Sequence, residues 1–208
     1  MKQENNNVYL TGEIVSDFSF SHEVFGEKFY CFDLKTNRLS ENADILPVLV
    51  SERIANVKES AIGAMVEIAG QIRSYNFNTD GKPKVILSVF VNELQNVDGD
   101  VTDNNVVCLR GFICKEPTYR LIPSGKEISD VILAVNRPYA KTDYIPCICW
   151  GRDASYMSYQ SVGTELILEG RFQSRKYTKR FENGESEERT AYELSVKKLE
   201  VVENECSY

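Results

Sequence analysis

The chain has 208 residues, of which 42% are hydrophobic and 26% charged, proportions typical of a globular protein. Its length predicts one large or two small domains, and no apolar run approaches a membrane span. The net charge of −7 opposes non-specific attraction to nucleic acid, but this charge is unevenly spread. Residues 1–100 hold 9 Lys and Arg against 15 Asp and Glu, whereas residues 101–208 hold 15 against 16. The basic groups of the second half cluster at Arg171, Arg175, Lys176, Lys179 and Arg180, which form a local cationic stripe in the sequence.

The N-terminus and the metal-binding residue types exclude several functional classes. Residues 1–7 are polar and lack the apolar core of a secretion signal, so we expect a cytoplasmic protein. None of the six cysteines forms a CxxC pair and His22 is the one histidine, which predicts no zinc site and no cofactor. Ser–His or Cys–His catalysis would need His22, and no nucleophile motif accompanies it. We therefore expect a protein that is not an enzyme.

An internal repeat divides the chain into two copies of about a hundred residues. Glycine, proline and Asn-Arg landmarks recur at an offset of 99 and then, after one slip, of 100. The matched pairs are Gly12 and Gly111, Gly26 and Gly125, Asn37-Arg38 and Asn136-Arg137, Pro47 and Pro146, Gly63 and Gly163, Gly70 and Gly170, and Ser74 and Ser174. The polar stretch Asn96–Asn104 has the composition of a linker. We predict domains at residues 1–97 and 104–203.

Each copy is predicted to contain five strands, with one short helix between the third and the fourth. In the first copy these elements are Val8–Val15, Lys28–Leu39, Ile45–Ser51, a helix near Arg53–Ser60, Ala64–Phe77 and Lys84–Leu94. In the second they are Val106–Cys114, Glu127–Asn136, Tyr144–Trp150, a helix in Arg152–Gln160, Glu165–Tyr177 and Thr190–Val201. This order is that of the oligonucleotide/oligosaccharide-binding (OB) barrel. The sequence thus predicts an all-β protein of two tandem five-stranded OB-fold barrels.

Two strands of the second copy have contrasting faces. Along Tyr144–Trp150, the period-2 rule places Ile145, Cys147 and Cys149 in the core, and Tyr144, Pro146, Ile148 and Trp150 outward. Along Glu165–Tyr177 it places Leu166, Leu168 and Phe172 inward, and Arg171, Gln173, Arg175 and Tyr177 outward. Outward rings and guanidinium groups suit a single-stranded nucleic acid, because bases stack on rings and phosphates pair with cations.

Five segments of the second copy form an ordered set of motifs: Asn105–Gly111, Ser124–Ile128, Leu133–Arg137, Asp143–Arg152 and Leu168–Tyr177. In these segments and their order, the second copy resembles the bacterial single-stranded DNA-binding protein family over nearly its full length. The first copy looks like a diverged relative, which keeps the glycines and the strand rhythm but little of the binding signature.

The resemblance implies that bases stack on a few aromatic side chains and that phosphates contact nearby cations. The stacking positions that match are Tyr139, Tyr144, Trp150 and Tyr177. The candidate phosphate contacts are Arg110, Arg137, Arg152, Arg171, Arg175 and Lys176, with Lys179 and Arg180 in the following hairpin. In the first copy Ile45 and Ser51 replace two of the rings, and Phe77, Tyr75 and Arg73 remain outward on its fourth strand.

The function implied is binding and protection of single-stranded DNA, without strong sequence preference, in DNA replication, recombination and repair. By analogy with two-domain members, we expect a homodimer that presents four OB folds and associates with the nucleoid. Replication or repair proteins are expected partners, although Val202–Tyr208 lacks the acidic, apolar tip by which the family commonly recruits them. The alternative is a primosome-like OB-fold adaptor that binds protein. RNA binding, which shares the same stacking physics, also stays open.

Overall fold

The computed structural model describes the backbone of residues 5–40, 42–79, 82–99, 104–181 and 184–202, and their side chains except those of 76–79 and 82–84. Within these ranges the chain is nearly all β, as predicted, with twelve strands and one helix. No helix in the described part is long and apolar enough to cross a membrane. The tail after residue 202 lies outside these ranges.

The two halves contain closely matching elements. The first half contains β1 (Asn6–Ile14), β2 (Ser19–Val24), β3 (Glu27–Asn37), β4 (Ala43–Ser51), β5 (Met65–Thr79) and β6 (Lys82–Asn96). The second contains β7 (Asn105–Ile113), β8 (Thr118–Leu121), β9 (Glu127–Arg137), β10 (Lys141–Trp150), α1 (Arg152–Met157), β11 (Glu165–Arg180) and β12 (Ser186–Val201). The short strands β2 and β8 were not predicted; both are edge strands that pair with the long strand following them.

Strand pairing in each half forms a closed circuit. In the first half β1 pairs with β3, β3 with β4, β4 with β6, β6 with β5, and β5 with β1. The second half repeats this circuit as β7, β9, β10, β12 and β11. In both, the pairing of the third long strand with the last is parallel and the others are antiparallel. Closure leaves few free strand edges.

The first and second halves are joined by antiparallel pairing of β1 with β7. Val8 lies opposite Val107, its own equivalent in the repeat, so a pseudo-two-fold axis passes between these residues. Two buried asparagines follow the same symmetry: Asn6 exchanges hydrogen bonds with the backbone of Ile72, and Asn105 with that of Phe172. The duplication predicted from the landmarks is therefore also present in the register.

Gly70 and Gly170 allow a close approach between strands that the repeat preserves. Each lies at a register shift in its strand, and a Cβ there would collide with the carbonyl oxygen of Phe90 or of Ser195, respectively. A side chain would push apart the strands that close each circuit. The equivalence of Gly70 with Gly170 therefore also makes Phe90 equivalent to Ser195.

The helix predicted near Arg53–Ser60 is wrong, because this segment forms turns. The amide of Lys58 bonds to the side-chain oxygen of Asn56 at 3.4 Å, a local bond that competes with the helical pattern. In the second half a helix does form, although it ends at Met157 and not at Gln160. Ala154 and Met157, three residues apart, are both fully buried and dock α1 on the core.

Candidate nucleic-acid interface

Strand β10 has the two faces that its sequence predicts. Ile145, Cys147 and Cys149 are fully buried, whereas Trp150 is 38% exposed and donates a 3.1 Å hydrogen bond from Nε1 to Ser195 Oγ. The bond holds one edge of the indole while part of the ring stays open to solvent. Ile148 departs from the prediction, since it is only 4% exposed at the base of a groove.

The groove beside Trp150 brings predicted residues together with residues that were missed. Arg175 and Lys176 line it together with Trp150, as the sequence suggested. Arg38 of the first half and Arg120 of β8 also line it, and neither was predicted. Because Arg38 is far away in sequence and β8 was not recognised, no signal along the second copy could have found them.

A second groove continues from the first through Arg175. Tyr177 lines it and is 38% exposed, with the guanidinium of Arg175 lying 5.8 Å from the centre of its ring. Such a contact fixes the plane of the ring. Val85 and Ile86 of the first half form part of the wall, and both are exposed. The surface therefore extends from Trp150 through Arg175 to Tyr177 and includes residues of both halves.

Tyr144 and Tyr139 lie at the other end of β10. Tyr144 is 46% exposed, and its backbone amide is anchored by a 2.9 Å bond to Ser74 Oγ of the first half. Tyr139 is 96% exposed in the turn between β9 and β10, where it and Ala140 have positive φ angles of 62° and 53°. Such angles are uncommon for side-chain-bearing residues. The turn holds the Tyr139 ring in solvent.

Asp143 anchors two of the predicted phosphate contacts, and its side chain is fully buried. Its carboxylate lies 3.2 Å from Arg73 Nη1 and 3.0 Å from Arg137 Nε, and it accepts a 2.7 Å bond from the amide of Ser74. The buried Nε–H of Arg137 has no acceptor in hydrogen-bond geometry among the described residues. Arg73 and Arg137 are thus held in a cluster that joins the two halves.

Asp44 forms the pseudo-symmetric counterpart of this cluster. It is also fully buried, accepts 2.9 and 2.6 Å bonds from Arg38, and accepts a 2.9 Å bond from the amide of Ser174 in the other half. Arg171, another predicted contact, lies 3.9 Å from Asp44 and donates to the carbonyl of Asn37 at 3.1 Å. Asp44 and Asp143 were not predicted, because their role depends on how the halves meet.

Two further predicted arginines are paired with carboxylates. Arg110 Nε donates to Glu165 at 2.7 Å. Arg175 makes bonds of 3.2 and 3.3 Å to Glu193, whose side chain is 7% exposed. A carboxylate this close neutralises much of the charge that a phosphate would otherwise meet.

The remaining predicted cations are more available to a ligand. Arg152 and Arg180 are exposed, and no ion pair is found for either within the described part of the chain. Lys176 lies 3.9 Å from Glu188, but both side chains are at least 70% exposed, so the pair is weak. Lys179 lies 5.3 Å from the centre of the Phe181 ring.

In the first half, Tyr75 is 36% exposed on β5, and burial raises the pKa of its hydroxyl. Phe77 lies on the same strand, opposite Lys84, and its side chain falls outside the described part. Three rings elsewhere in this half were missed. His22 stacks on Phe29 at 5.1 Å, and Phe29 lies 5.9 Å from Phe90.

The buried cysteines behave as core groups. Burial raises the pKa of Cys149 from 9.0 to about 12 and that of Cys147 well above its ordinary value. Both thiols are therefore neutral and unreactive at physiological pH.

Comparison with known proteins gives matches in the second half and, for the fold, over the whole chain. Residues 104–202 match the single-strand binding protein family. Single-stranded DNA-binding protein 1 of Staphylococcus aureus is 38% identical over 80 residues, which cover 35% of this chain and 48% of that protein. The single-stranded DNA-binding protein of Enterococcus faecalis is 38% identical over 81 residues, covering 36% and 43%. The alignments thus span about half the length of these curated relatives.

The wild-type single-stranded DNA-binding protein from Thermus aquaticus has a similar fold. Its crystal structure superposes with a TM-score of 0.78 at 18% sequence identity, covering 98% of this chain and 95% of that one. At this identity the likeness concerns the fold, and it extends over both halves.

Proposed function

We propose that the chain, whose residues 104–202 match the single-strand binding protein family, is a non-enzymatic protein that binds single-stranded DNA without strong sequence preference. The observation that carries this proposal is the surface from Trp150 to Tyr177, where exposed rings border a groove lined by arginine and lysine. Every base has a π-face, so stacking of this kind tolerates any sequence. The role that follows is to coat and protect single strands during replication, recombination and repair, in the cytoplasm and on the nucleoid.

The stacking residues in this proposal are Trp150, Tyr144, Tyr177 and Tyr139. Their supporting features are the fixed indole edge at Ser195 and the guanidinium packed against Tyr177. Each stacked base contributes about 1–3 kcal/mol. Rings that are already oriented lose little conformational entropy when a base arrives, which favours binding.

The predicted cations contribute unequally in this proposal. Arg152, Lys176, Lys179 and Arg180 carry most of the phosphate attraction, since carboxylates hold none of them closely in the described structure. Arg110, Arg137, Arg171 and Arg175 act more weakly on phosphate, because a carboxylate already opposes each of their charges. In the first half, Arg73 also acts weakly on phosphate, because Asp143 opposes its charge. Tyr75 and Phe77 remain proposed contacts for the single-stranded DNA.

The proposal extends to architecture and assembly. Each closed circuit is taken as an OB barrel, with domains at residues 1–97 and 104–203, and two chains form a homodimer with four barrels. The proposed dimer contact lies on β1 beside its pairing with β7, where Tyr9 is 51% exposed. Sedimentation equilibrium at micromolar concentration should give a dimer, and a monomer would contradict the assembly.

The direct test of function is substitution of Tyr144, Trp150 and Tyr177 by alanine in one protein. Anisotropy of a labelled oligo-dT should report an affinity at least about a hundredfold lower than for the native protein, given about 1–3 kcal/mol per ring. Tyr159→Ala, at an 84% exposed position outside both grooves, is the matched control and should bind normally. Unchanged affinity of the triple variant would contradict stacking on these three rings, whereas no binding of oligo-dT by the native protein would favour an adaptor that binds protein.

A further inference from the structure

The first half keeps Phe77 where the repeat has Tyr177, but it lacks two other rings at the corresponding positions of β4. Ser51 stands where the repeat has Trp150, and it is only 4% exposed. Compared position by position, β4 has lost both of the rings that β10 carries. The strand registers show that an aromatic ring lies nearby, on a neighbouring strand.

Two strand pairings make Phe90 the structural equivalent of Ser195. Phe90 lies opposite Gln71 as Ser195 lies opposite Arg171, and Phe90 pairs with Leu49 as Ser195 pairs with Ile148. The glycine contacts of the two halves give the same equivalence. In the second half Trp150 hydrogen-bonds across to Ser195. In the first half the arrangement is reversed: the serine, Ser51, lies on β4, and the ring, Phe90, lies on β6.

Phe90 lies on the outer face of the first half. Val89 and Val91, on either side of it along β6, are buried in the core, so its ring projects in the opposite direction. Phe29 lies directly opposite Ser51 in the β3–β4 register, and the Phe29 and Phe90 ring centres are 5.9 Å apart. Both rings are half-buried. Phe29 and Phe90 are thus neighbouring rings beside Ser51, whose hydroxyl donates to Glu27.

Further groups extend these two rings into a row. His22 stacks on Phe29 with its ring tilted by only 12°, and the guanidinium of Arg73 lies 5.8 Å from the centre of Phe90. Arg73 is fixed there by Asp143. The row His22, Phe29, Phe90 and Arg73 therefore consists of neighbouring planar groups. It is partly open to solvent and is held at one end by Asp143, and the planes of Phe29 and Phe90 are inclined by 34°.

The geometry points to a second base-stacking site in the first half, formed by Phe29 and Phe90, which binds bases of single-stranded DNA. The inference rests on the proposed function and adds a site that is missed when the two copies are compared position by position. Few free cations surround the rings, because Arg53 lies 3.3 Å from Glu27 and Arg73 is held by Asp143. Binding at this site is thus dominated by stacking and depends less on salt than binding at the second half.

A relocated fluorophore tests the site directly. The double variant Phe90→Trp with Trp150→Phe has one tryptophan, at position 90, and keeps an aromatic ring at position 150. Titration with oligo-dT should quench its fluorescence in a saturable manner. A control protein with Ile62→Trp and Trp150→Phe carries its tryptophan at a 56% exposed loop position outside the row, and it should not be quenched.

A loss variant uses residues that the fold accepts at the same positions of the other half. Phe29→Ile with Phe90→Ser copies Ile128 and Ser195 into the first half. Combined with alanine at positions 144, 150 and 177, it should lower the remaining affinity for oligo-dT by about tenfold or more relative to the triple alanine variant alone. Circular dichroism checks that the variant is folded.

The outcomes separate this inference from the proposed function. If the native protein binds oligo-dT with quenching of Trp150, but the tryptophan at position 90 is unaffected, the first-half site is refuted and the proposed function stands. Equal affinities of the triple variant with and without Phe29→Ile and Phe90→Ser would also refute it. If the native protein binds no oligo-dT at all, the proposed function itself fails.

Discussion

Replacing Asp143 by alanine should strongly destabilise the protein, because this carboxylate holds two arginines and a backbone amide at the junction of the halves. The carboxylate is fully buried, and the side chains of Arg73 and Arg137 are only 16% and 21% exposed. Its removal would leave two poorly solvated positive charges without their carboxylate and would orphan the amide of Ser74, which donates to it at 2.7 Å. Breaking a buried ion pair in this way costs about 3–5 kcal/mol.

Urea unfolding followed by circular dichroism measures this loss as a change in the free energy of unfolding. Asp143→Asn should be less harmful, because an amide oxygen can still accept the bond from Ser74. The matched control is Asp130→Ala, which removes an even shorter ion pair: Asp130 lies 2.6 Å from Arg120, and the two side chains are 36% and 47% exposed, respectively. That change should cost less than about 1 kcal/mol. A similarly small loss for Asp143→Ala would refute the view that the buried clusters hold the halves together.

Two other changes test the roles given to cations and to buried thiols. Arg152→Ala should reduce the slope of log K against log[salt] for oligo-dT by about 0.7. Arg110→Ala should change the slope less, because it removes a cation already bonded to Glu165 at 2.7 Å. Equal slopes for the two variants would contradict the view that unpaired cations contribute most of the phosphate attraction. Because burial raises the pKa of Cys149 from 9.0 to about 12, the unfolded thiol ionises first. Its contribution to stability is therefore constant below about pH 9 and is lost between about pH 9 and 12. The urea midpoint should fall over that window, and less so in Cys149→Ala; identical pH profiles would contradict the assignment.

Much of the fold could be predicted from sequence because the relevant signals are local or periodic. The alternation along β10 reflects burial of every second residue, which holds for Ile145, Cys147 and Cys149. The offset of 99 or 100 residues between matching glycines indicated which strands of the two copies are equivalent. Segment 53–60 was mistaken for a helix because the repeat carried the helix of the second copy over to the first. The local bond from the Lys58 amide to the Asn56 side chain, which competes with a helix, depends on one side chain.

The parts of the candidate site that could not be predicted are created by contacts between distant segments. Arg38 reaches the groove of Trp150 only because β4 of the first half packs beside β11. The arginine–carboxylate clusters likewise need both halves in place. Phe90 was missed because alignment of the two copies matches it with Ser195 and not with Trp150. The ring of Phe90 lies on the last strand of its half, whereas that of Trp150 lies on the neighbouring third long strand. Sequence patterns identified which strands form the surface, but not which of its charges are already neutralised.

The central claim, that single-stranded DNA stacks on the second half, is tested most directly with Trp150, which is the only tryptophan of the chain. The native protein is titrated with oligo-dT while the fluorescence is followed, and the titration is repeated at higher salt. Saturable quenching that weakens as salt increases is the predicted result, because a base covers the exposed face of the indole and phosphates displace counterions. An unchanged signal, together with no binding in a mobility-shift control, would contradict the account.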